Sequence, residues 1–116
     1  MRSSRNEKRK HRKIRIKKKI SGTELRPRLV VYRSNKYIYA QLIDDIQGRT
    51  LAASSSRAIA EAAGSNIRSA HLVGKDIAQK AQENDIQQVV YDRNGYYFHG
   101  RIKAVADGAR EGGLKI

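Results

Sequence analysis

With 116 residues, 39% of them hydrophobic, the chain is sized for one domain with a modest core. Its 25 Lys and Arg against 11 Asp and Glu leave a net charge of +14, and a charge of that size calls for a polyanionic partner, nucleic acid above all. The lack of cysteine excludes disulfides and thiolate metal sites, His11, His71 and His99 are too scattered for a metal set, and no apolar run approaches the roughly 20 residues of a membrane span, so no metal, cofactor, membrane or small-molecule substrate is expected.

The charge is concentrated at the start. Residues 1–28 hold 13 Lys and Arg against Glu7 and Glu24, a net +11, which leaves +3 for residues 29–116. Two parts follow: a basic N-terminal arm over 1–28, disordered when free, and a globular α/β domain over 29–116. Between Glu7 and Ile20 the apolar residues are Ile14, Ile16 and Ile20, too few to fold alone. The basic, acid-poor beginning has the look of a targeting peptide, but no cleavage-type segment follows it, and the chain is expected to act uncleaved in the cytoplasm. Arg9, Arg12, Arg15, Lys17, Lys18, Arg26 and Arg28 are the arm's candidate phosphate contacts, since neutralising phosphates needs charge density and reach rather than a fixed fold.

Beyond the Ser21–Thr23 joint and Pro27, residues 29–33 (LVVYR) are rich in β-branched and aromatic side chains and read as a strand. Ser34, Asn35 and Lys36 make a turn. Residues 37–43 alternate, with Ile38, Ala40 and Leu42 on one face and Tyr37, Tyr39 and Gln41 on the other. A turn over 44–48 leads to a weaker strand over 50–55, which completes an antiparallel meander. Residues 56–65 are rich in small side chains and ambiguous. Ile67, Ala70, Val73, Gly74, Ile77, Ala78 and Ala81 then fall at helical spacing over 66–83, with Ser65 or Asn66 as N-cap. Val89, Val90 and Tyr91 read as a strand buried on both faces, and Asn94–Gly95 as a turn. Ile102, Val105, Ala106 and Ala109 give a second helix over 100–111, which Gly112–Gly113 ends.

The element order is βββαβα. It predicts a mixed four-stranded sheet in the order 3-2-1-4, with both helices on one face and the other face open. Two places then suit RNA. Around the first hairpin, Arg33, Ser34, Asn35, Lys36, Tyr39 and Gln41 combine an aromatic ring with a cation and amides, a set that can stack on a base while holding a phosphate; ordinary cross-strand packing would use the same tyrosines. At the second junction, Arg93, Tyr97, His99, Arg101 and Lys103 surround a helix N-terminus, whose free N–H groups favour phosphate, while Tyr96 and Phe98 are expected to turn into the core. The same element order occurs in ribonuclease H-like nucleases, but strand one offers no acid to join Asp92 and Asp76, so a two-metal site lacks its carboxylates and no enzyme is expected.

Residues 26–45 (RPRLVVYRSNKYIYAQLIDD) resemble the first hairpin of the bacterial-type large-subunit ribosomal protein eighteen family, and residues 92–114 (DRNGYYFHGRIKAVADGAREGGL) resemble its C-terminal signature. Asn94 stands where the family usually has glycine, and residues 56–65 depart from its usual linker. The resemblance implies a structural protein of the large ribosomal subunit that binds 5S rRNA and helps attach it to 23S rRNA in the central protuberance, beside neighbouring ribosomal proteins. A plastid ribosome would carry the same features. The resemblance also carries RNA contact to Arg33, Ser34, Asn35, Tyr39 and Gln41 and to Arg93, Tyr97, His99, Arg101 and Lys103.

Overall fold

A computed structural model describes residues 8–10, 22–23, 26–59 and 64–116. Strands β1 (Arg28–Arg33), β2 (Ile38–Asp44) and β3 (Arg49–Ser55) precede helix α1 (Ile67–Glu83), strand β4 (Val90–Asp92) and helix α2 (Gly100–Glu111). The sheet runs β3-β2-β1-β4, antiparallel except for the parallel β1–β4 pair. Element order and strand order are those the sequence pattern predicts.

The alternation in β2 decides which face is buried. Ile38, Ala40 and Leu42 are buried with Leu29 and Val31 of β1, against Val73, Ile77 and Ala81 of α1 and Val105 and Ala109 of α2. Asn66 caps α1, its side-chain oxygen accepting from the Ser69 N–H at 2.8 Å. The two helices meet backbone to backbone: a Cβ on Gly74 would overlap the Val105 carbonyl oxygen, and one on Gly108 would overlap that of His71. Glycine is needed there for close approach. With both helices stacked on one side, Val30, Tyr32, Tyr39 and Gln41 are left on the other.

Two expectations need correction. β4 is not buried on both faces: Val89 is buried, but Val90 and Tyr91 are only half-buried, because the strand is three residues long at the edge of the sheet. Residues just ahead of Leu29 are packed as well, in keeping with a domain that starts at residues 26–28. Pro27 and Arg28 are buried, and Gly22 is buried against the β1–β2 end, its N–H donating to Asp45 Oδ2 at 2.7 Å while its carbonyl accepts from the Asp45 N–H at 3.0 Å.

Arg28 is the second. Assigned from sequence to phosphate, it is 9% exposed. Its Nε and Nη2 donate to Asp45 at 2.9 and 3.0 Å, and its Nη1 donates to Asp92 at 2.6 Å. The hydrogen bond to Asp45 raises the Arg28 pKa above its ordinary value, the Asp92 bond adds to the rise, and burial opposes it. The second Asp92 oxygen accepts the Asn94 N–H at 2.8 Å. Asn94 and Gly95 both have positive φ, 54° and 78°, a conformation that asparagine tolerates better than most side chains where glycine is absent. Residues 60–63, part of the ambiguous linker, lie outside the described residues.

Removing one partner of a buried ion pair leaves an uncompensated charge, so Arg28→Ala is expected to cost about 3–5 kcal/mol in urea unfolding. Gly108→Ala should cost about 1–3 kcal/mol by pushing the helices apart. A wild-type denaturation midpoint for either variant would contradict the packing described.

Candidate nucleic-acid interface

Two concave surfaces flank the C-terminal end of β1. On the open sheet face, Val30, Tyr32, Ser34, Tyr39 and Gln41 line a depression of about 480 Å³. Register explains the set: Tyr32 lies opposite Tyr39, and Val30 opposite Gln41. The Tyr32 and Tyr39 rings are 5.8 Å apart, and Tyr37 meets Tyr39 edge-on at 6.4 Å. Tyr32 is 50% exposed. It was missed in the sequence because residues 29–33 are uniformly apolar before Arg33. The alternation of β2, carried across the hairpin, would have placed Tyr32 beside Tyr39.

The second surface is a larger cleft of about 1320 Å³ where the two helices begin. Lys8, Arg9, Arg33, Arg68, Tyr97, His99 and Arg101 are among the residues lining it. Arg101 Nη1 donates to the Ser65 carbonyl at 3.0 Å, which ties the start of α2 to the approach of α1. The Tyr97 and His99 rings stack at 5.9 Å with 14° between their planes. Both are exposed. Arg33 belongs here, since strand parity puts it on the helix side of β1, away from Tyr39 and Gln41. The hairpin set read from sequence is thus divided between two surfaces that adjoin at residues 32–34.

Other candidates are placed as follows. Asn35 and Lys36 are exposed in the hairpin turn, whose geometry is set by the Ser34 hydroxyl accepting the Tyr37 N–H at 3.1 Å. Arg26 is exposed at the opposite end of β1. Arg93 is half-buried and Lys103 exposed, and neither lines the cleft. Arg12, Arg15, Lys17 and Lys18 lie outside the described residues. Phe98 is a correction: it is 43% exposed and packs edge-on against Tyr91 at 6.1 Å, while Tyr96 alone of the two is in the core at 7%. The segment bends, with the His99 N–H bonded to the Tyr97 carbonyl at 2.9 Å, so the two-residue alternation of a strand does not apply. Asp92, the one carboxylate at a strand end that suggested metal chemistry, is fully buried and held by Arg28.

The chain matches the family model for ribosomal L18 of archaea, bacteria, mitochondria and chloroplasts over residues 3–116. The large ribosomal subunit protein uL18 of Oleidesulfovibrio alaskensis is 60% identical to it over 120 residues, spanning the whole of both chains. That of Nitratidesulfovibrio vulgaris is 60% identical over 119 residues, again spanning both. The uL18 protein of Clostridium botulinum is 57% identical over 113 residues, 97% of this chain and 95% of the relative.

The exchange of roles between Tyr96 and Phe98 is testable by unfolding. Tyr96→Ala should cost about 3 kcal/mol or more as a core truncation, whereas Phe98→Ala, at a site open to water, should stay within about 1 kcal/mol of the parent. Equal losses in urea unfolding would mean that both rings are core.

Proposed function

The chain belongs to the ribosomal L18 family and is a structural protein of the large ribosomal subunit rather than an enzyme, and from that premise we propose that it binds 5S rRNA and helps attach it to 23S rRNA in the central protuberance, beside the ribosomal proteins there. The observation that carries this reading is the adjacency of an exposed tyrosine face and a cation-lined cleft at residues 32–34.

The two surfaces suit two parts of the task. A flat face with Tyr32 and Tyr39 can stack on unpaired bases or lie across the shallow minor groove of an RNA helix, and shaped contacts of that kind select one RNA over another. The cleft, with Lys8, Arg9, Arg33, Arg68 and Arg101, suits phosphates, which supply affinity without reading sequence. The remaining arm cations, Arg12, Arg15, Lys17 and Lys18, extend that electrostatic reach and could serve a second RNA. Arg28 takes no part, being committed to Asp45 and Asp92.

Competition of 5S rRNA against tRNA at physiological salt is expected to show clear preference for 5S rRNA. Tyr39→Ala should weaken that binding by about 1–3 kcal/mol, and Arg33→Ala should weaken it too, both with unchanged melting. A Tyr39→Ala protein that melts early yet binds normally would mean the face is structural. Deleting residues 1–19 should preserve the preference but flatten the slope of log K against log salt by roughly 4–5, at about 0.7–0.9 per phosphate contact. An unchanged slope would free the arm from 5S rRNA.

A further inference from the structure

Arg9 is an arm residue, yet it meets the globular domain at Tyr96. Its Nη1 donates to the Tyr96 hydroxyl at 3.2 Å, and its guanidinium carbon stands 4.4 Å from the ring centroid. The guanidinium of Arg33 stands 5.0 Å from the same centroid, and the Tyr96 hydroxyl reaches the Arg33 carbonyl oxygen at 3.5 Å. Two like charges are therefore gathered on one ring. Among the described residues no carboxylate forms an ion pair with either, and the buried Nε of Arg9 has no hydrogen-bond partner. An aromatic face attracts each cation, but it does not neutralise them. Both guanidiniums thereby keep a positive charge that a phosphate oxygen suits.

Tyr96 is itself held rigidly. It is 7% exposed, and its N–H closes the turn on the Arg93 carbonyl at 3.0 Å. That turn is capped by Asp92, which Arg28 holds. The ring is thus a fixed post, whereas both arginines are long side chains that lose rotamer freedom when they bind.

Resting on the RNA-binding role above, we propose that Tyr96 is a positioning residue: it seats Arg9 of the arm beside Arg33 of the domain before RNA arrives, so that both guanidiniums grip the same stretch of phosphate backbone. Ordering the two cations in advance lowers the entropy lost on binding. It also couples the arm to the shaped surface, so that RNA held by one is presented to the other. A core tyrosine without this role would affect stability but would leave the effect of Arg9 unchanged.

The test is a double-mutant cycle in the full-length protein, with 5S rRNA and tRNA as separate ligands and circular dichroism as the check on folding. Arg9→Gln is expected to weaken binding by about tenfold in the parent, and by less than about twofold in a Tyr96→Leu background. Tyr96→Leu should also flatten the salt slope by about 0.7–0.9 for a lost phosphate contact, which a purely structural residue would not do. Tyr96→Phe, which keeps the ring, should retain most of the affinity. Equal fold-losses for Arg9→Gln in both backgrounds would overturn the proposal. If Tyr96→Leu does not fold, the cycle runs with Tyr96→Phe, where the lost hydroxyl bond should still reduce the Arg9→Gln effect by about twofold, and strict additivity overturns it. Absence of any preference for 5S rRNA in the parent would defeat the broader reading alone, since the coupling is measurable on tRNA.

Discussion

Arg28 opens β1 with a carboxylate on either side, and most of the molecule's geometry follows from how that charge is satisfied. Its planar guanidinium spans Asp45, in the β2–β3 turn, and Asp92, at the end of β4. A lysine ammonium, a point charge with no fork, could not span both in this way. Asp92, fully buried, would be costly to bury alone. The remaining lone pairs of the two acids are used as well: Asp45 accepts the Gly22 N–H, and Asp92 accepts the Asn94 N–H. One buried cation thus fixes where the chain enters the domain, how β2 hands over to β3, and how β4 ends. The arrangement is bought at the cost of desolvating Arg28 and Asp92, which makes it intolerant of losing either of them.

The consequences reach the far end of the same strand. The Asp92 cap sets the left-handed Asn94–Gly95 turn, which throws Tyr96 back over Arg33, the last residue of β1. β1 therefore begins with an arginine that is consumed internally and finishes with one whose guanidinium lies at the mouth of a cleft. The buried ion-pair network and the cleft-lining Arg33 sit at opposite ends of one six-residue strand. That separation lets the cleft end carry concentrated positive charge without unbalancing the buried network.

Sequence periodicity revealed what depends on local pattern. The alternation of Ile38, Ala40 and Leu42 located the buried face, the spacing of Val73, Ile77 and Ala81 located α1, and the order of elements gave the strand order. What stayed hidden depends on pairing across the chain. Nothing local distinguishes Arg28, 64 residues from its partner Asp92, from the arm cations it adjoins. Arg33 and Tyr39 look like one cluster in a hairpin, yet strand parity sends them to opposite faces. Phe98 looks like the inward partner of Tyr96 until a bend breaks the alternation. Arg9 lies 87 residues from the ring that seats it. Each case is a tertiary choice that a period of two or 3.6 residues does not encode.

The open face also has to survive in water before any partner covers it. An uncovered sheet face built of leucine or isoleucine would invite aggregation. Tyrosine solves this with one side chain: its ring gives the flat area needed for stacking, while its hydroxyl keeps a hydrated edge. Tyr32, Tyr37 and Tyr39 support one another in tilted and edge-on pairs, so the face is held in shape without burial. Gln41 adds hydrogen-bonding capacity without charge. Meanwhile most of the net charge, +11, is carried in the sequence by residues 1–28, whereas the tyrosines and Gln41 of the open face carry none. A small domain can therefore hold an uncharged tyrosine face beside a cation-lined cleft, the two meeting at residues 32–34 of one strand and its turn.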